Sequence, residues 1–214
     1  MRKIAFYGGS FDPPHCGHLT IARKLGEQFK LDEFVFVPAF HAPHKRDKNP
    51  TSAFHRYAML ALATNEQAEI SISKLELEAP ERPYTFETLE RLKNELPSAD
   101  IFFVMGADSW VDITTWREWE KVLTSVNIIV ITRPDYEIGF SHVTAEIRRR
   151  IVDLRGGKEV DSIAGDLKIY ISDAVNIDVS ATEIRQKIRA DENDWRELTS
   201  GEVARYIEKY KLYK

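Results

Sequence analysis

Gly8-Gly9-Ser10-Phe11-Asp12-Pro13-Pro14-His15-Cys16-Gly17-His18 follows the apolar run Ile4–Tyr7 and precedes the helix-patterned run Leu19–Phe29. The stretch is therefore the turn from a first strand into a first helix. Paired glycines let the backbone come close to a ligand. A helix start offers unpaired N–H groups and the positive end of a dipole, and both suit phosphate. His15 and His18 sit three apart at that start, where both can face one bound group. Two other readings compete. One is a tight turn with incidental histidines. The other is a zinc site, for which Asp12 is the one further ligand nearby. The pattern as a whole favours a phosphate-handling site in a nucleotide-binding fold.

Composition narrows the class. The chain has 214 residues, 43% of them hydrophobic and 30% charged, so it can bury a sizeable core without disulfides or a structural metal. A net charge of −4 weighs against nonspecific binding to duplex nucleic acid, and no nucleic-acid partner is expected. It leaves room for a local basic pocket that takes a small anion. The single cysteine, Cys16, rules out an internal disulfide and a cysteine-based zinc cage. No N-terminal signal pattern and no apolar run of bilayer length occur, so the expectation is a cytoplasmic enzyme with no membrane partner.

Periodicity supplies the frame. Lys3–Tyr7 reads as strand one, and Leu19, Ala22, Leu25 and Phe29 share one face of the helix that follows. Phe34–Pro38 reads as strand two and His41–Pro50 as a loop. Ser52 caps a helix to about Thr64, and Ile70–Leu77 alternates as a strand. Ala79–Tyr84 reads as a loop, and Thr85 caps a helix to about Leu96. Ile101–Met105 and Asn127–Thr132 are buried parallel strands. Between them lie a turn region at Gly106–Thr115 and a helix at Trp116–Leu123. Ala145–Leu154 reads as a helix, and Leu167–Ile171 and Val175–Val179 as strands. Ser180-Ala181-Thr182-Glu183 is a capping box opening a helix to about Arg189. A last helix spans Ser200 to Tyr210. Strands alternating with helices predict an α/β fold, a Rossmann-like doubly wound parallel sheet with helices on both faces. With no linker in sight, residues 1–214 are expected to form one domain.

Further constellations carry chemistry. Ser180, Thr182 and Arg185 can converge at a helix N-terminus to bind phosphate oxygens, although local sequence alone favours an ordinary capping box. His44, Lys45 and Arg46 follow strand two, where an open parallel sheet places ligand loops. Tyr84-Thr85 opens a helix whose N–H groups can meet a carboxylate. Gly106 and Asp108 end a central strand, where an aspartate can accept hydrogen bonds from ribose hydroxyls. Trp116 can stack on an aromatic base or pack in the core.

Gly8–His18 resembles the signature of the His-x-Gly-His nucleotidylyltransferase superfamily. Val179–Ile188 is similar to the Ser-x-Thr-x-x-Arg motif of its adenylyltransferases. Pro43-His44-Lys45, with Ala42 in place of a usual proline, resembles a loop of the nicotinate-mononucleotide adenylyltransferases. So do Tyr84–Leu89, the Gly106-x-Asp108 to Trp116 spacing, and Thr132-Arg133-Pro134. These segments run in family order from Phe6 to Ile188.

The resemblance implies joining of nicotinate mononucleotide to the α-phosphorus of ATP, with release of pyrophosphate. It implies a catalytic pair, His15 and His18. It implies ATP contacts from these two and from Gly8, Gly9, Ser10, Gly106, Asp108, Arg133, Ser180, Thr182 and Arg185, the helices from about 180 onward completing that site. It implies acceptor contacts from Asp12, His44, Lys45, Arg56, Tyr84, Thr85 and Trp116. Mg²⁺ would accompany ATP on triphosphate oxygens, with no protein ligand. Transfer to phosphopantetheine or a phosphorylated alcohol, and a non-catalytic nucleotide sensor, are the rival functions. A homo-oligomer stays open, and residues 135–166 carry no functional expectation.

Overall fold

The computed structural model describes residues 1–40, 51–79, 83–132, 138–158, 160, 165–175 and 179–214. In chain order the elements are β1 (Arg2–Gly9), α1 (Cys16–Phe29), β2 (Glu33–Pro38), α2 (Ala53–Thr64), β3 (Ile70–Ile72), α3 (Thr85–Glu95) and β4 (Ala99–Gly106). Next come α4 (Ala107–Val111), α5 (Trp119–Ser125), β5 (Asn127–Ile131), α6 (Ala145–Arg148), β6 (Ile151–Asp153), β7 (Ile169–Ser172), α7 (Ala181–Arg189) and α8 (Gly201–Tyr210). Short 3-10 turns lie at Ile113–Thr115 and Asp194–Leu198.

Among the described residues seven strands form one parallel sheet in the order β3-β2-β1-β4-β5-β7-β6. The chain winds outward from β1 in one direction, then returns to β4 and winds in the other. The reversal between β1 and β4 leaves a crevice at the strands' C-terminal ends, where ligands bind in such sheets.

Alternation along each strand feeds both faces. Ile4 and Phe6 of β1, Phe103 and Met105 of β4, and Ile128 and Val130 of β5 join one core with α3, α4 and α5. Ala5, Phe102, Val104 and Ile129 point the other way, into a core with Ala22, Leu25 and Phe29 of α1. A third cluster packs Met59 and Ala63 of α2 against Ile184 and Ile188 of α7 and Val203 and Ile207 of α8. Cys16 and Leu19 of α1 border it, so the C-terminal helices rest beside the start of α1.

Several expected boundaries move. β3 stops at Ile72 because the Ser73 hydroxyl accepts the Leu75 N–H at 3.1 Å and turns the chain. Tyr84, not Thr85, is the cap residue of α3, and the Glu87 carboxylate accepts the Tyr84 N–H at 2.7 Å. Trp116 precedes α5, which begins at Trp119 after Glu118 in a left-handed conformation. The helix expected over Ala145–Leu154 is one turn, and the chain then forms edge strand β6 paired with β7. The strand before Ser180 is absent at Val175 and Val179; the residues between them are outside the described set. Among the described residues no helix is long and apolar enough to cross a membrane.

Trp110 of α4 is fully buried, and its indole N–H donates to the Gly139 carbonyl at 2.9 Å. It therefore ties the segment after β4 to the chain beyond β5. Trp110→Ala should lower the unfolding free energy in urea by about 3–5 kcal/mol, the usual cost of emptying an aromatic core position. A loss below about 1 kcal/mol would show that this anchor is dispensable.

Candidate active site

Three loops meet at the crevice. Gly8 and Gly9 pair with Val37 and Pro38, and the Ala39 N–H continues the ladder to the Gly9 carbonyl at 2.9 Å. On the other side Tyr7 pairs with Val104, so the glycine ends of β1 and β4 lie side by side. The turn Ser10–Pro14 leaves this edge and delivers His15 to the N-cap of α1.

The two histidines act on each other. Their rings stack with centroids 3.6 Å apart and planes 29° from parallel. The His15 backbone N–H donates to His18 Nδ1 at 3.2 Å. An accepting Nδ1 carries no proton, so the neutral ring holds its proton on Nε2. That makes His18 a hydrogen-bond donor through Nε2. Phe11 meets the His18 ring edge-on with centroids 5.0 Å apart, and fixes it from the side.

The glycines serve this packing. A Cβ on Gly9 would lie 2.8 Å from the Phe11 ring, so the room that Gly9 leaves is filled by Phe11, not by a ligand. Gly8 would meet Phe103 at an ordinary 3.4 Å. Phe11 itself holds a left-handed φ of 50°, a strained conformation for an aromatic residue. Gly17 lets α1 approach Val179, since a Cβ there would lie 2.9 Å from that side chain and 3.0 Å from His15 Nδ1.

Two residues expected at the acceptor have another task. Arg56 is 3% exposed. Its guanidinium donates to the carbonyls of Ser10 (2.6 Å), Ala39 (2.6 Å), Phe40 (3.2 Å) and Thr51 (3.1 Å). Burial lowers its pKa and the Asp12 carboxylate raises it again. It is thus a knot between the loops after β1 and β2 and the start of α2, turned away from solvent. Asp12 is also buried. Its carboxylate accepts the Tyr213 hydroxyl at 2.6 Å and the Thr51 N–H at 3.3 Å. Asp12 thus bonds two groups of the protein, one from α2's approach and one from the end of the chain.

The helix α7 motif reaches the same loop. The Ser180 hydroxyl accepts the Glu183 N–H at 3.1 Å, as a capping box requires. Buried Arg185 donates from Nη1 to the Asp12 carbonyl at 2.7 Å and from Nη2 to Thr182 Oγ1 at 3.3 Å. Thr199 donates to the Pro14 carbonyl at 2.9 Å. Sequence gave no warning of Thr199 or Tyr213, because each acts across more than 180 residues.

On the far side of β4, Asp108 is exposed at the first turn of α4. Its Oδ1 lies 2.7 Å from where a Cβ on Gly106 would sit, too close for a real side chain, so Gly106 permits this carboxylate position. Arg117 stacks over the half-exposed Tyr84 ring at 4.7 Å, which brings the start of α3 beside the Trp116 segment. Trp116 is partly buried against the core. With the Tyr84 N–H held by Glu87, the amides of Thr85 and Phe86 are the helix-start donors that lie beyond intrahelical bonding. His44, Lys45 and Arg133 lie outside the described residues.

Gly9→Ala should displace Phe11 and with it His18. A displacement of about 1 Å costs turnover on the order of 10²-fold, while circular dichroism should stay unchanged. Full turnover in a folded Gly9→Ala protein would contradict the packing chain from Gly9 to His18.

Comparison with known proteins agrees with this geometry. The cytidylyltransferase-like family model matches residues 6–187. A Clostridium tetani protein named "Probable nicotinate-nucleotide adenylyltransferase" is 34% identical over 214 residues, covering 100% of both chains. A Symbiobacterium thermophilum protein of the same name is 33% identical over 213 residues, covering 100% of this chain and 96% of the relative. The solved structure of Plasmodium falciparum nicotinic acid mononucleotide adenylyltransferase complexed with NaAD superposes with a TM-score of 0.75 at 25% identity. That match covers 100% of this chain and 98% of the other. Fold and full-length similarity thus coincide: the chain belongs to the nicotinate-nucleotide adenylyltransferase family, within the cytidylyltransferase-like group.

Proposed function

We propose that this protein joins nicotinate mononucleotide to ATP, giving nicotinate adenine dinucleotide and pyrophosphate. The observation that carries the reading is the His15–His18 pair at a helix start in the switch-point crevice, with the proton of neutral His18 held on Nε2. A phosphate oxygen of the acceptor forms a bond to the α-phosphorus. The bond from that phosphorus to the bridging oxygen breaks, and its electron pair leaves on pyrophosphate. The attacking phosphate is already anionic at neutral pH, so no general base is needed. Alignment and neutralisation of developing charge then carry the rate. His18 Nε2–H donates to the α-phosphate, and His15 stands beside it on the ATP phosphates. Gly8, Ser10, Ser180 and Thr182 line the path of the triphosphate, and Arg185 holds the loop beneath it. Asp108 receives ribose hydroxyls, and Trp116, Tyr84 and Thr85 form the pyridine side, with His44 and Lys45 on the acceptor phosphate and Arg133 on ATP.

Mg²⁺ enters as part of the substrate. Among the described residues no group of three or more His, Cys, Asp or Glu is placed to hold a metal ion. The donor set that suits Mg²⁺ is the triphosphate itself with water, and the ion there offsets phosphate charge.

Pyrophosphate release with ATP and a panel of acceptors tests the reaction. Nicotinate mononucleotide should give the highest kcat/KM, above nicotinamide mononucleotide, phosphopantetheine and phosphocholine. A preference for any of the others would replace the acceptor assignment. His18→Ala should lower kcat by about 10²–10³, the usual loss for one donor aimed at developing charge. Near-normal turnover would remove His18 from the transition state. Trp116→Ala should raise KM for the pyridine nucleotide more than KM for ATP; equal changes would assign Trp116 to the core alone.

A further inference from the structure

The chain ends by folding back onto its own beginning. Helix α8 stops at Lys211, which takes a left-handed φ of 51° and lets the Leu212 N–H bond back to the Ile207 carbonyl at 3.0 Å. Tyr213 then holds a φ of 69°, uncommon for an aromatic residue. A strained backbone persists only where surrounding contacts fix it. Here the contact is the hydroxyl, which donates to Asp12 Oδ1 at 2.6 Å and lies 4.0 Å from the Met59 sulfur. Burial, then the Asp12 carboxylate, push the phenol well above its ordinary pKa, so it remains a neutral donor.

Asp12 is the centre of the turn between β1 and the histidines. Its carbonyl is held by Arg185 at 2.7 Å, and its carboxylate by Tyr213 and the Thr51 N–H. The neighbouring Ser10 and Pro14 carbonyls are held by Arg56 and Thr199. Of these anchors Arg185 and Arg56 sit within helices α7 and α2, whereas Tyr213 comes from the turn that follows α8, one residue before the end of the chain. We propose that Tyr213 is a positioning residue for adenylyl transfer: its hydroxyl fixes the Asp12 carboxylate, and through it the turn that sets His15 and His18. The proposal rests on the reaction given above. It assigns the last turn of the chain to catalysis, although Tyr213 touches neither histidine.

Tyr213→Phe isolates the hydroxyl, since the ring and its packing stay. Tyr206→Phe is the control. It removes another C-terminal phenol, bonded to His55 at 2.8 Å and outside the site. Wild type must first turn over ATP and nicotinate mononucleotide; if it does not, the reaction itself is wrong and Tyr213 is not at issue. In an active enzyme, Tyr213→Phe should lower kcat about tenfold, the scale of losing one hydrogen bond to a charged group. KM for both substrates should stay within about twofold, because the histidine contact strengthens in the transition state. Amide hydrogen exchange at residues 10–18 should rise about tenfold, with the strands β1 and β4 unchanged. Tyr206→Phe should match wild type in both measurements. Unchanged kcat with unchanged exchange at residues 10–18 would overturn the proposal. So would exchange that rises evenly across the molecule, which would mark Tyr213 as a general stabiliser.

Discussion

One buried guanidinium, that of Arg56, sets the shape on which the site depends. It gathers carbonyls from the turn after β1, the chain after β2 and the approach to α2. Carbonyls turned inward without donors would be costly, and arginine's planar fork can serve several at once. Removing the fork would strand those carbonyls, and removing the nearby carboxylate would leave the charge uncompensated. Arg185 repeats the device from the C-terminal side, through the Asp12 carbonyl. The turn carrying the histidines is therefore held from both ends of the sequence, and its geometry exists before any substrate arrives.

Within that frame small residues give way to large ones. Gly9 makes room for the Phe11 ring, Phe11 braces His18, and His18 stacks on His15. Gly17 admits Val179, which draws the segment before α7 against the start of α1. The glycines thus act through packing that orients imidazole rings. The result is a pair of stacked rings at a helix N-terminus, one of them fixed as a donor, beside the point where the strand order reverses.

Much of this was legible in the sequence for physical reasons. Runs such as Ile101–Met105 and Asn127–Thr132 are apolar on both faces, which suits strands buried between helix layers, and they form β4 and β5. Ser52, Ser180 and Ser200 cap helices as their hydroxyls allow. Ile151–Asp153 was misread because three residues of an edge strand carry no usable period. For Arg56 and Asp12 the sequence shows less: both side chains bond the protein's own groups here. A motif can name a residue near a site, but it cannot say whether the charge faces a ligand or the backbone beneath it. That depends on tertiary contacts, and so does Tyr213, whose partner lies 201 residues away.

Position-labelled ATP tests the central claim most directly. With nicotinate mononucleotide as acceptor, label on the α-phosphorus should appear wholly in the dinucleotide, and label on the γ-phosphorus wholly in pyrophosphate. Label from the γ-position on the acceptor, or α-label released as free AMP, would show that the crevice performs phosphoryl transfer or hydrolysis and would contradict adenylyl transfer at the His15–His18 turn.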